Sequence, residues 1–208
     1  MRAVICSLAL AMAIPGGALA QTAPQGRAKP TPDWPCRAIK VAEISLPAVW
    51  SGPPVDGVKT ADWREDPVIG ALVERLALRR TPMEQAEAAI EEFATKAGAA
   101  KQEKLVVLFA GLFQSMAHER AQVIAGLDRF GRRQKELADA IRGETAEMRA
   151  AQDQPGANPE KLQELVNRLT WDMRIFEDKR KSVAYVCETP VLIEQRLFAL
   201  GREIAAQL

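Results

Sequence analysis

The only histidine of the chain, His118, is the first candidate for metal or acid–base chemistry. It lies in the stretch AHERAQ, directly before Glu119. A helical dimetal site needs two Glu-x-x-His pairs with further carboxylates, and a structural zinc site needs four Cys or His ligands. One histidine without such a repeat cannot supply the first set. His118 with Cys36 and Cys187, the cysteines outside the first twenty residues, is one ligand short of the second. The sequence therefore predicts no metal site and no cofactor.

Nucleophilic catalysis has no recognisable motif either. The chain contains no Gly-x-Ser-x-Gly turn, no Cys-x-x-Cys pair and no glycine-rich phosphate loop. Its 27 acidic residues show no spacing that singles out a catalytic pair. The sequence predicts no catalytic residue and a protein that is not an enzyme.

The first twenty residues have the pattern of a secretory signal. Arg2 precedes an apolar run, Ala3–Ile14, which is too short to span a bilayer. Pro15-Gly16-Gly17 breaks this run, and Ala18-Leu19-Ala20 has the small residues of a cleavage site. We expect residues 1–20 to be a signal peptide and the protein to be periplasmic or secreted. The alternative is an uncleaved N-terminal anchor.

Cleavage would remove Cys6 and leave Cys36 and Cys187 as the two cysteines of the chain. Because thiols in an oxidising compartment are usually joined, the sequence predicts a disulfide between these two. The bridge would close a loop of nearly the whole mature chain, worth about 5 kcal/mol on the chain-entropy estimate. The alternatives are two buried free thiols or one intermolecular bond.

Charge and hydropathy exclude several classes of partner. The chain has 28 Lys and Arg against 27 Asp and Glu, so no bulk electrostatic attraction to nucleic acid is expected. After the signal, no segment is apolar for long enough to cross a membrane. We expect neither nucleic-acid binding nor an integral membrane span after signal cleavage.

Before residue 66 the sequence is irregular. Residues 21–33 are rich in proline and predict a flexible leader. Residues 34–65 contain three of the four tryptophans, Trp34, Trp50 and Trp63, among prolines that forbid a long helix. These tryptophans either pack against helices, which we favour, or line an aromatic groove.

Residues 66–208 predict a helical domain. Asp66-Pro67 and Thr81-Pro82 have the pattern of helix starts, and the second of these helices should end near Gly98. A long helix follows from residue 99 to 153, and the turn at 154–160 opens the next helix. The predicted seam of that helix comprises Leu162, Val166, Leu169, Met173, Phe176, Arg180, Val183 and Cys187. Thr189-Pro190 is expected to interrupt it before a last helix.

A short turn between two long helices makes them antiparallel neighbours. The predicted fold is all-α: a helical-bundle base with a long antiparallel two-helix coiled-coil hairpin, which we call the arm, preceded by an irregular Pro- and Trp-containing segment. Folding at the turn brings residue 124 level with Cys187. Cys36 would then fasten the tryptophan-bearing segment across the junction of base and arm.

The arm also carries a basic band. It comprises Arg129, Arg132 and Arg133 on one helix and Lys179, Arg180 and Lys181 on the other. The band is either a docking strip for an acidic partner or a solvated face with weak ion pairs.

The leading functional hypothesis is an exported, non-catalytic interaction or scaffold protein that presents its arm to a partner protein or to a second copy of itself. One alternative is a periplasmic, chaperone-like holdase. Another is a small-ligand-binding or catalytic protein with a pocket beneath the tryptophan-bearing segment.

Overall fold

The structure is a computed structural model that describes residues 33–208. The predicted signal peptide and almost all of the predicted leader lie outside the described residues. In the described part every regular element is a helix, and no strand is formed. The elements are α1 (Leu46–Val49), α2 (Thr60–Glu65), α3 (Pro67–Ala77), α4 (Met83–Ala97), a 3₁₀ turn (Gly98–Ala100), α5 (Lys101–Gln152) and α6 (Pro159–Ala206).

Two predicted helix starts are confirmed. The Asp66 carboxylate accepts the N–H groups of Val68 and Ile69 at 2.9 and 3.2 Å, and Pro67 occupies the first turn of α3. The Asn158 side chain caps α6 in the same way, ahead of Pro159. These caps satisfy N–H groups that have no partner within the helix.

The predicted cap of α4 is wrong. The hydroxyl of Thr81 donates to the carbonyl oxygen of Arg75 at 2.8 Å and so closes the end of α3 instead. Pro82 directly precedes α4 and makes no side-chain cap.

The antiparallel hairpin is confirmed, with two long helices, α5 of 52 residues and α6 of 48. The predicted break at Thr189-Pro190 is wrong, because α6 continues through Pro190 without ending. A proline inside a helix removes one backbone hydrogen bond and costs about 3 kcal/mol. Pro190 is buried, so packing against the rest of the base offsets that cost.

The seam of α6 follows the predicted heptad except at two positions. Leu165, Leu169 and Val183 are buried, whereas Met173 is 52% exposed and Arg180 is exposed. Met173 and Arg180 are therefore not seam residues, and those two assignments are wrong. The polar, half-buried Asp172 lies where the observed seam expects an apolar residue, and it faces Glu144 of α5. Because Asp172 is polar, the apolar pattern assigned Met173 to the seam in its place.

Glu144 gives the arm a pH-dependent element. Burial, and then the charge of Asp172, raise the pKa of Glu144 above its ordinary value, although the Nε atom of Arg168 lies 3.2 Å from its carboxylate. A raised pKa means that the folded arm favours the protonated carboxyl. The stabilisation is fully present below the ordinary pKa of a glutamate and is lost as the pH rises through the folded-state pKa.

Replacing Glu144 with glutamine is expected to raise the Tm at pH 7.5 relative to wild type, because glutamine resembles the protonated carboxyl. The gain should shrink at pH 4, where wild type is also protonated. Circular dichroism melts at the two pH values would measure this. The control is Glu136→Gln on the exposed face of α5, which should alter the Tm little. A Tm for Glu144→Gln below wild type at pH 7.5 would contradict the expectation.

The core of the base surrounds the start of α5, where residues 105–113 (LVVLFAGLF) are apolar on more than one face of the helix. Leu105, Leu108, Phe109 and Leu112 are completely buried. Their neighbours are apolar residues of α3, α4 and α6: Ile69, Val73, Leu76, Ile90, Phe93, Ile193, Leu197, Leu200 and Ile204. This cluster fixes the base from which the arm projects.

Two of the predicted tryptophans belong to this core. The ring of Trp50 stacks on Phe109 with centroids 3.9 Å apart, and Trp63 donates to the side chain of Gln114 at 3.0 Å. Both tryptophans are at least nine-tenths buried, so they pack against helices and line no open groove. Trp34 is half-buried and donates to the carbonyl of Ala38 at 2.7 Å.

Candidate binding groove

The first described segment, residues 33–44, crosses the hairpin where the arm meets the base, and we call it the strap. Lys40 forms an ion pair with Asp128 of α5 at 2.7 Å. The sulfur atoms of Cys36 and Cys187 lie 2.05 Å apart, at disulfide distance, and connect the strap to α6. The strap therefore contacts both long helices at the arm root, as the predicted pairing of the cysteines requires.

Arg120 is the buried polar centre of this junction. Only 3% of its surface is exposed. Its guanidinium donates to Glu194 of α6 at 2.5 Å and to the carbonyl oxygens of Val41 and Ala42 at 2.9 and 3.1 Å. One side chain of α5 thus joins the strap to α6. The sequence contains no signal for the backbone partners of Arg120.

Gly131 allows the strap to lie directly on α5. A Cβ atom at this position would overlap the carbonyl group of Asp33 and come close to the ring of Pro35. The backbone of the strap therefore rests against the backbone of the helix. From the sequence alone, Gly131 is indistinguishable from Gly126 and Gly143, which lie on the same helix and have no such contact.

The substitution Gly131→Ala is expected to lower the free energy of unfolding by about 1–3 kcal/mol, because the added methyl group displaces the strap. Gly143→Ala is the matched control, since nothing lies within 4 Å of its would-be Cβ. That control should raise the free energy by about 0.5–1 kcal/mol, the usual helix preference for alanine. Urea unfolding measures both. An increase in the free energy of unfolding for both Gly131→Ala and Gly143→Ala would contradict the close approach of the strap to α5.

A groove of about 770 Å³ lies between the strap and α6. Its lining is mostly apolar and comes from both sides: Pro35, Cys36 and Ala38 of the strap, and Val183, Ala184, Cys187, Val191 and Leu192 of α6. Its charged lining residues are Arg37, Arg180, Lys181 and Glu188. The strap and α6 thus form a mostly apolar groove. Among its charged lining residues, the basic ones outnumber the acidic one.

The apolar surface continues beyond the groove along the outer face of α6. Ala184, Val191 and Phe198 are spaced by seven residues, so they lie on one side of the helix. Val191, Leu192 and Phe198 are 45%, 44% and 46% exposed. We call Ala184, Val191, Leu192 and Phe198 the outer stripe. Its first three residues also line the groove, and Phe198 extends the apolar surface beyond it. The expected helix break at Pro190 concealed it, because only a continuous helix brings both halves onto one face.

The predicted basic band is divided in the structure. Arg180 and Lys181 line the groove, whereas Arg133 and Lys179 line a smaller hollow of about 210 Å³ with Phe130 and Gln134. Arg129 and Arg132 are exposed and line neither. Successive helical residues are 100° apart, so Lys179, Arg180 and Lys181 cannot share one face.

Ion pairing also differs across the band. Arg180 pairs with Glu177 at 2.9 Å on the surface. Within residues 33–208, the other five members of the band form no ion pair. Strap residue Arg37 is likewise unpaired in that part of the chain and lines the groove beside Arg180 and Lys181.

His118 is exposed, and its Nε2 lies 2.9 Å from the side-chain amide of Gln122. In residues 33–208 no three His, Cys, Asp or Glu side chains cluster as metal ligands would. None of the described helices combines the length and the apolarity that a bilayer crossing requires.

No family model, no curated protein and no solved structure matches the chain. Its function has to be inferred from the chemistry of the groove.

Proposed function

We propose that the chain is an exported, non-catalytic interaction protein that binds a partner protein at the root of its arm. The observation that carries this proposal is the groove between strap and α6, together with the outer stripe that extends it. Contiguous exposed apolar surface with a polar rim is typical of protein–protein binding sites. The described part of the chain has no element that covers this surface.

Export is supported by two independent features. The first twenty residues have the pattern of a secretory signal. Cys36 and Cys187 lie at disulfide distance, and disulfides persist in oxidising compartments such as the periplasm. A periplasmic or secreted location accounts for both.

The attachment of the strap suits a binding role. The cysteine pair, the Arg120 contacts and the Lys40–Asp128 ion pair hold it at three separate points. A groove wall that is already ordered loses less conformational entropy when a partner binds, so more of the contact energy appears as affinity.

A second candidate function is the chaperone-like holdase. Trp171 and Met173, further along the arm, are 63% and 52% exposed, which would offer unfolded clients additional apolar contacts. A holdase should suppress the aggregation of a denatured test protein at equimolar concentration. Absence of suppression would eliminate this candidate and leave the specific interaction protein.

Site-specific photocrosslinking in the native envelope tests the proposed function. A photoreactive residue at Gln195, which lines the groove, should crosslink to one partner that mass spectrometry identifies. The same residue at Glu87, exposed on α4 away from the groove, is the control. The proposal expects the partner at Gln195 and not at Glu87. No crosslink at Gln195, or the same products at both positions, would contradict it.

A further inference from the structure

We propose that the groove and the outer stripe receive an amphipathic helix of the partner protein, and that this helix carries acidic residues. The inference rests on the proposed function and specifies the chemistry of the partner.

The spacing of the apolar residues favours a helix. Ala184, Val191 and Phe198 recur every seven residues and cover about 21 Å of α6 at 1.5 Å per residue. Seven-residue spacing is the repeat with which one helix packs along another. Leu192, beside Val191, widens the stripe, so side chains of a docked helix can insert between residues of two adjacent rows.

The charge of the groove favours an acidic partner. The groove lining contains three basic residues, Arg37, Arg180 and Lys181, and one acidic residue, Glu188. Arg37 and Lys181 form no ion pair with any described residue. Arg180 forms one ion pair, with Glu177, and that pair is exposed to solvent. Carboxylates on the partner would complement this charge, speed the encounter and fix the register of binding.

Other occupants fit less well. The predicted leader just before the strap contains Arg27 and Lys29 and no acidic residue between positions 21 and 32, so the basic rim would repel it. A second copy that packed through the same surface would offer only Glu188 as an acidic groove residue against these cations. A small amphiphile could fill the groove but would leave Phe198 uncovered, since Phe198 lies outside the groove lining.

Two synthetic helical peptides test the inference directly. Each has about 18 residues, enough to cover the stripe, with the same leucine face; the polar face is glutamate-rich in one and lysine-rich in the other. Fluorescence anisotropy with residues 21–208 at low salt should give the acidic peptide a Kd at least about tenfold lower. Raising the ionic strength should narrow this difference.

Three variants locate the binding. Leu192→Asp should weaken the acidic peptide by about tenfold or more. The double substitution Arg37→Glu and Lys181→Glu should reverse the preference toward the lysine-rich peptide. Val68→Asp is the matched control, because Val68 is an exposed apolar residue of α3 outside the groove, and it should leave the Kd unchanged.

Each of the following results would overturn the inference. Equal affinity for both peptides would contradict the acidic character of the partner helix. An unchanged Kd of the acidic peptide for Leu192→Asp would show that the peptide does not bind in the groove. Laurate binding without acidic-peptide binding would indicate a small amphiphile. A dimer that Leu192→Asp converts to a monomer would indicate a second copy. If a photoreactive residue at position 195 crosslinks a partner but neither peptide binds, the proposed function is supported and the inference of an acidic helix is wrong.

Discussion

Replacing both Cys36 and Cys187 with serine is expected to lower the free energy of unfolding by about 4–5 kcal/mol. The two cysteines are 151 residues apart, so their bond removes a large loop-closure entropy from the unfolded chain. The same substitution also releases the strap, which forms one wall of the groove. Guanidinium unfolding of residues 21–208, followed by circular dichroism, measures the loss.

Chemical reduction supplies the control for this prediction. Reduced wild-type protein should unfold at the same denaturant concentration as the double-serine variant, and reduction should leave that variant unchanged. A double-serine variant within about 1 kcal/mol of unreduced wild type would contradict the predicted bond.

Replacing Arg120 with leucine is expected to cost about 2–4 kcal/mol. The substitution removes charged hydrogen bonds to Glu194, Val41 and Ala42 from a side chain that is almost fully buried. Glu194→Gln should cost less, because the side chain of Glu194 is 37% exposed and water can replace its partner. The same unfolding experiment measures both variants.

The control for Arg120 is Arg149→Leu, an exposed position on the same helix, which should change the free energy by about 0.5 kcal/mol or less. Combining Arg120→Leu with the double-serine change should cost less than the sum of the two, because both hold the strap in place. Strict additivity would mean that Arg120 does not act through the strap.

Local sequence signals predict the elements of the hairpin well. The caps at Asp66 and Asn158 and the turn at 154–160 depend only on neighbouring residues, so their chemistry is visible in the sequence. The wide apolar face of residues 105–113 likewise predicts that neighbours surround it on several sides. The pairing of Cys36 with Cys187 follows from counting the cysteines outside the predicted signal peptide.

Features that depend on distant backbone were not predictable in the same way. Gly131 looks like any helical glycine until the carbonyl of Asp33 is placed against it. The continuity of α6 through Pro190 depends on burial by the rest of the fold, which local proline rules do not contain. Asp172 was not assigned to the seam because its side chain is polar, and the adjacent Met173 was assigned instead.

The groove could not be predicted, because its two walls come from segments about 150 residues apart in the chain. Arg180 and Lys181 at its rim were visible as part of the basic band, whereas Arg37 was not. The separation of Arg180 and Lys181 from Arg133 and Lys179, which line the smaller hollow, follows from the direction of each side chain around its helix. The outer stripe became visible only with an unbroken α6.

Peptide mapping of unreduced protein isolated from the native envelope tests the central claim, an exported hairpin closed by its strap, most directly. Trypsin should release residues 28–37 covalently joined to residues 182–196, since these peptides contain Cys36 and Cys187. Recovery of that linked pair, with residue 21 as the new N-terminus, is the predicted result. Recovery of both peptides with free, alkylatable thiols would contradict the account.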